Sequence, residues 1–272
     1  VEVVEMTDLR RPLLDLDAQA AGEVELPEVF LTPVRPDVIR RAYLSSLTAR
    51  IQPQGRDPLA GLRTSAESWG AGHGVARVPR VKGRGYPAAA RAARAAMTVG
   101  GVRVHAPRVD KVIWERVNKK ERRLAIRSAI AATASLELVS ARHRLGNLQE
   151  VPVIVVDDLA SISKTKEFYE FLLKLGLEEE LLRLKKRFRK IRAGRGKMRG
   201  RVRQRARGPL VVYHEDGGIA RAARNIPGVD VVKVDNLGVI HLAPGGVPGR
   251  LTIWTAGAIE TLKKAELPFL RR

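Results

Sequence analysis

Cysteine is absent from all 272 residues, which excludes disulfides, thiolate metal sites and a cysteine nucleophile, and suits a reducing compartment. Aromatic residues make up only 4%, so recognition by serial base stacking has little to work with. No apolar run approaches the roughly 18 residues of a membrane span. The opening VEVVEMTDLRRPLLDLD also lacks the basic-then-apolar order of a signal peptide, so a membrane partner is not expected. Acids are missing where bases are densest. Lys185 to Gly208 contains none, and Arg63 to Arg108 contains none after Glu67.

Several chemical signatures are missing too. No G-x-x-x-x-G-K-[ST] occurs, so the apolar strand and paired carboxylates of VIVVDD (Val153 to Asp158) lack the phosphate-cradling half of a P-loop site. Gly70-Ala71-Gly72-His73-Gly74 falls short of the dinucleotide fingerprint and is not set between a strand and a helix. His73, His105, His143, His214 and His241 show neither i, i+4 pairing nor metal-ligand spacing. No cofactor or metal is expected. The rival to a binding role is a metal-dependent RNA-processing enzyme using Asp157, Asp158, His214 and Glu215. Carboxylates after a parallel strand more often cap the next helix, and His214-Glu215-Asp216 reads better as a polar turn before Gly217-Gly218.

What is present is positive charge on an otherwise ordinary globular composition. Fifty Lys and Arg against 29 Asp and Glu give a net charge of +21, with 44% hydrophobic residues. A polyanionic partner follows from the first figure and a packed core from the second. Arg63 to Arg108 is too long for an ordinary connection of about 12–15 residues and lacks hydrophobic periodicity. Its glycines permit close backbone approach, and its arginines offer forked donors for phosphate oxygens. Trp69 within it suits either stacking on a base or packing where the loop leaves the domain. Lys185 to Gly208 is the second basic stretch, and a run of one sign repels itself unless anions are near.

The remainder reads as one α/β domain. Residues 1–34 alternate around Gly22 and suggest short strands joined by a turn. Pro36-Asp37 opens a helix running to about Arg50, and Asn118 is placed to cap another through KKERRLAIRSAIAATASL. Leu136 to Val139 suits a short strand or the end of that helix. Val151 to Val156 has the continuous apolar character of a strand buried on both faces. Helical spacing follows in KTKEFYEFLLKL and EEELLRLKKRF. Strands are expected at Leu210–Tyr213 and Val229–Val234, helices at Ile219–Asn225 and Ala258–Lys264, and further short apolar runs stand at Val239–Leu242 and Leu251–Thr255. Alternation at this spacing predicts a mainly parallel sheet flanked by helices, plus a long extended basic loop. The expected boundaries are 1–52 with 109–272 for the domain, 185–208 for its basic insertion, and 53–108 for the loop.

Five segments carry a resemblance over almost the whole chain: TSAESWGAGHGVARVPRVKGRG, RVNKKERRLAIRSAIAATA, KIRAGRGKMRGRVRQRARGP, HEDGGIARAARNIPG and LAPGGVPGRLTIWT. They resemble the universal L-four family of large-subunit ribosomal proteins, in its archaeal and eukaryotic form. The resemblance implies a cytoplasmic, non-enzymatic, early-assembly protein bound to large-subunit rRNA and to neighbouring ribosomal proteins. It also implies a loop that lines the nascent-peptide exit tunnel. The rRNA-binding residues expected in and beside the loop are Arg50, Arg56, Arg63, Trp69, His73, Arg77, Arg80, Lys82, Arg84, Arg91, Arg94, Arg103 and Arg108. In the body they are Lys119, Lys120, Arg122, Arg123 and Arg144, and in the insertion Arg192, Arg195, Lys197, Arg199, Arg201, Arg203, Arg205 and Arg207. Gly72 to Gly85 is implied as the tip region, with Arg77, Arg80, Lys82, Gly83, Arg84 and Gly85 facing the tunnel and its nascent polypeptide. Two departures stand out. His73 replaces an arginine usual in relatives, and the basic C-terminal tail of eukaryotic members is not found before Arg272, which favours an archaeal form.

Overall fold

The computed structural model describes residues 9–146 and 148–264, so the alternation in VEVVEM lies outside the described residues. The described residues fall into two compact units. One runs up to Ala49 and resumes at Glu115, and the other is Arg50–Trp114.

In the first unit, β1 (Arg10–Leu14) and β2 (Ala20–Glu25) form an antiparallel hairpin. The strand pattern expected to continue through Phe30 ends at Pro27, which has no amide to donate to a ladder. A 3-10 turn, Glu28–Leu31, replaces it. Helix α1 (Pro36–Thr48) starts with proline at a position whose amide needs no partner, and buries Val38, Ile39 and Ala42. Strands β3 (Ala66–Glu67) and β4 (Arg80–Val81) belong to the second unit. The first unit resumes with α2 (Lys119–Ala131), α3 (Leu136–Ser140), β5 (Val153–Val155), α4 (Thr165–Lys174) and α5 (Glu178–Arg189). It closes with β6 (Leu210–Tyr213), α6 (Ile219–Arg224), β7 (Asp230–Lys233), α7 (Val239–Leu242), β8 (Thr252–Thr255) and α8 (Ala256–Lys263).

The sheet order is β2-β1-β5-β8-β6-β7, and every pairing except β1–β2 is parallel. Alternate residues of each strand enter opposite cores, as the two-residue period of a strand demands. Ile154, Leu210, Val212 and Trp254 pack on one face under α1, α2, α7 and α8. Val153, Val155, Val211 and Ile253 pack on the other under α3, α4, α5 and α6. Trp254 is fully buried, edge-on to Phe30 at a centroid distance of 5.9 Å, and its indole N–H donates to Thr252 Oγ1 at 3.0 Å.

Three local expectations change. Leu136–Ser140 is a separate short helix because the Ser135 hydroxyl accepts from the Leu138 amide and starts it anew. Val239–Leu242 is one helical turn, entered from extended Gly238, whose N–H donates to His241 Nδ1 at 3.3 Å. Asn118 does occupy the cap position of α2, but its side chain makes no capping bond.

Two buried ionic centres fix the basic insertion to this body. Arg250 has no exposure, and its guanidinium donates to Asp230 Oδ2 at 2.8 Å, Gly208 O at 2.8 Å and His241 O at 2.7 Å. Asp230 also receives Arg207 at 2.9 Å, so the last residues of the insertion are tied to β7. Glu180, in the first turn of α5, is likewise fully buried. It accepts from Arg183 at 2.6 and 2.7 Å and from the Arg144 amide at 3.2 Å, and lies 2.8 Å from His143 Nδ1. Burial by itself would raise the Glu180 carboxyl, but the bonds from Arg183 and His143 outweigh it and bring the pKa down to about 2. A carboxyl depressed on folding stabilises the fold above its unfolded pKa and loses that contribution as pH falls toward about 2. Glu180→Gln should therefore lower stability near neutrality by about 2 kcal/mol, the loss of charge-assisted bonds, with the gap to the parent narrowing below about pH 4. Denaturant titrations at several pH values test this, and a gap independent of pH would contradict it.

Candidate nucleic-acid interface

The second unit is a loop with a folded interior. Ala66 pairs with Val81 and Glu67 with Arg80, so residues 68–79 form the closed end of a hairpin. The chain then returns along β4: Val81 N–H donates to Arg91 O at 2.9 Å, Ala90 N–H to Val81 O at 3.1 Å, and Ala93 N–H to Pro79 O at 2.8 Å. Ala93 is buried by this return. At the closed end, the Ser68 hydroxyl donates to Arg77 O at 2.9 Å. Gly61 and Gly101 approach so closely that a Cβ on Gly61 would lie 2.5 Å from the Gly101 carbonyl, and Gly61 has φ +83°. Only glycine fits there.

Two of the residues expected to face the tunnel are engaged within the unit. The Arg80 guanidinium sits 5.4 Å from the centre of the Trp69 ring and donates to Ala90 O at 3.0 Å. Trp69 also meets His73 edge-on at 6.0 Å, so the tryptophan packs within the loop while remaining half exposed. Lys82 pairs with Glu67, Tyr86 donates its hydroxyl to the Lys82 carbonyl, and Arg63 pairs with Asp57 at 2.7 Å. The remaining cations are different. Arg50, Arg56, Arg77, Arg84, Arg91, Arg94, Arg103 and Arg108 are exposed, with no side-chain hydrogen bond or ion pair among the described residues.

The basic insertion repeats this construction. Ile191 and Arg203 form an isolated antiparallel bridge, and Arg192 N–H donates to Val202 O at 2.8 Å. Arg192 Nε donates to Arg201 O at 3.1 Å, and a short turn at Lys197–Arg199 ends in left-handed Gly200. Arg203 lies 5.2 Å from the Phe188 ring centre. In each stretch one arginine stacks on an aromatic ring, Trp69 within the loop or Phe188 at the end of α5, and this role could not be read from the sequence because the partners are not neighbours in it. Arg195, Lys197, Arg199, Arg201 and Arg205 project outward, exposed and without partners among the described residues.

On the body, Lys119, Lys120 and Arg122 stand exposed in the first turns of α2. A helix N-terminus favours anions, so cations gathered there sit against the dipole unless an anion joins them. Arg123 is half buried, and Arg144 reaches Glu179 at 3.8 Å.

Of the residues named for metal chemistry, Asp157 and His214 are engaged in the fold, while the carboxylates of Asp158 and Glu215 are exposed, Glu215 lying 3.8 Å from His214. Asp157 Oδ1 accepts from the Gly257 amide at 2.8 Å and caps the start of α8. His214 Nδ1 lies 3.0 Å from Thr261 Oγ1, while Asp216 Oδ1 accepts from the Gly218 and Ala220 amides and shapes the turn into α6. Among the described residues no three His, Asp or Glu side chains gather as a metal site. The arrangement can hold a polyanion.

Because Arg80 works inside the hairpin and Arg77 outside it, their alanine variants should differ. Arg80→Ala should accelerate hydrogen exchange at the Val81, Ala90 and Ala93 amides by tenfold or so, matching about 1 kcal/mol for a partly exposed cation–π contact. Arg77→Ala should leave those amides unchanged. Equal protection in the two variants would contradict the assignment.

A model of the ribosomal protein L4/L1 family matches residues 24–265. The chain is 53% identical over 257 residues to the large ribosomal subunit protein uL4 of Methanopyrus kandleri, covering 94% of this chain and 98% of that one. It is 50% identical over 256 residues to its namesake in Methanocaldococcus jannaschii, covering 94% and 99%. A relative in Sulfurisphaera tokodaii is 50% identical over 253 residues, covering 93% of each.

Proposed function

The chain belongs to the ribosomal protein L4/L1 family, in its archaeal type, and from that premise we propose how it works. It is a structural constituent of the large ribosomal subunit in the cytoplasm, its partners are components of the ribosome, and its family is not one of enzymes.

Its contact with the subunit is with large-subunit rRNA, made through phosphates. The observation that carries this reading is the set of exposed, unpaired arginines on two hairpins whose own folding uses backbone bonds and ring stacking. Each phosphate neutralised releases counterions, so charge supplies affinity without reading sequence. Specificity comes from the shape of the folded RNA, since few aromatic residues are free to stack. The body, residues 1–52 and 109–272, anchors the chain early in assembly beside neighbouring ribosomal proteins. The loop, residues 53–108, reaches the exit tunnel, where Arg77, Arg84 and the glycines around them border the nascent polypeptide. Arg80 and Lys82 act one step back by holding the hairpin.

The test is sucrose-gradient sedimentation of the tagged chain from its host lysate at low and high salt. Co-migration with large subunits that survives high salt is expected of an integral subunit protein. Recovery in light fractions without rRNA would refute the reading.

A further inference from the structure

A cleft of about 840 Å³ opens in the body between the residues after α3, the outer face of α5 and the end of the basic insertion. Three of its cations, Arg144, Arg183 and Arg207, face the carboxylates Glu179, Glu180 and Asp230. Five more, Arg142, Lys186, Arg187, Lys190 and Arg205, also line it and have no carboxylate within ion-pair distance among the described residues. No carboxylate lines the cleft, and no aromatic ring does apart from the imidazole of His143.

Hydrogen bonds fix the floor, and the rim cations make none among the described residues. Arg142 is spanned by the carbonyls of Pro244, Val247 and Pro248, and Arg183 is locked between Glu180 and Arg207 O at 2.9 Å. His143 is 5% exposed, with Nδ1 on Glu180 and a buried Nε2 that has no partner. Lys186, Arg187, Lys190 and Arg205 are exposed around this floor. The fixed donors of the floor lose little freedom on binding a dense anion, so the ordering cost falls on the rim cations alone. With no ring to stack a base, its selectivity is for phosphate.

We propose that this cleft is a pre-formed phosphate site that seats adjacent phosphates of one sharply turned RNA strand. The proposal rests on the rRNA-binding reading above and joins both ends of the second basic run to cations outside it. Arg142, Arg144 and Arg183 lie outside both runs, while Lys186, Arg187, Lys190, Arg205 and Arg207 come from the two ends of the second. The site differs from the loop in kind, because its shape is set by buried bonds before any RNA arrives.

Calorimetry with inorganic tripolyphosphate on the full chain tests the site without RNA. Lys186→Ala/Arg187→Ala/Arg205→Ala changes only exposed residues, so circular dichroism should match the parent. We expect one saturable site in the parent, weakened at least tenfold in this variant and unaffected by Arg77→Ala/Arg84→Ala/Arg91→Ala in the loop. Filter binding to transcribed large-subunit rRNA at one fixed salt forms the second arm, with at least a tenfold loss expected in the cleft variant. Tripolyphosphate binding lost with rRNA affinity unchanged would make this a free-anion site and overturn the RNA assignment. No effect in either arm, while the parent binds rRNA, would overturn the cleft and leave the rRNA reading standing. A parent that takes tripolyphosphate at the cleft but fails to bind rRNA would sink the rRNA reading and this occupant with it.

Discussion

Like-charge repulsion inside two stretches almost without carboxylates is the constraint that the rest of this architecture has to contain. The insertion places thirteen Lys and Arg among the 24 residues from Lys185 to Gly208, so it cannot settle into a hairpin by pairing opposite signs. Both basic regions meet this problem in the same way. A short backbone pairing holds each hairpin, one arginine is drawn onto an aromatic ring, and most other cations are turned outward. Outward cations repel one another less through water than they would when packed together. They are also the ones a phosphate can reach. The geometry that keeps the chain from flying apart is thus the geometry that presents charge to a polyanion.

The parallel sheet supplies the fixed frame for this. Its central strands β5, β8 and β6 are buried on both faces, and each face is closed by its own set of helices, so the strand ends are held firmly. The insertion leaves from the end of α5 and re-enters at β6. Arg250 locks the re-entry by bridging Gly208 and Asp230, and Glu180 locks the start of α5 through Arg183. Both centres are buried ions, each saturated by several hydrogen bonds. Neutralising one partner of such a centre is costly, because the other charge is left without its counterpart. Their value lies in position, since they orient a strongly basic segment that has no core of its own.

Much of this was legible in the sequence. VPVIVV, LVVY and TIWT are continuous apolar runs, and all three became buried parallel strands. The family resemblance rested on ordered motifs and held over most of the chain. Local failures had local causes. Phe30 left the strand pattern because Pro27 broke the ladder, and Val239–Leu242 became a helical turn because a stretch of four residues carries no period by itself. The candidate interface was legible as charge but not as roles. Arg80 and Arg77 look alike in sequence, and only the pairing of Glu67 with Arg80 brings Arg80 over Trp69 and leaves Arg77 outside. The cleft was illegible, because Arg142 and Arg183 join it only through tertiary contacts with Glu180 and the Pro244–Pro248 turn.

Salt dependence tests the central claim most directly, because counterion release has a slope that other sources of affinity lack. Binding of the full chain to transcribed large-subunit rRNA would be measured from about 0.1 to 0.5 M potassium chloride. The account predicts that log K falls linearly with log salt with a slope of magnitude about 4 or more, equivalent to at least six or so phosphates at roughly 0.7–0.9 each. A slope near or below about 1, with affinity kept at high salt, would mean that the unpaired arginines are not what holds this protein to RNA.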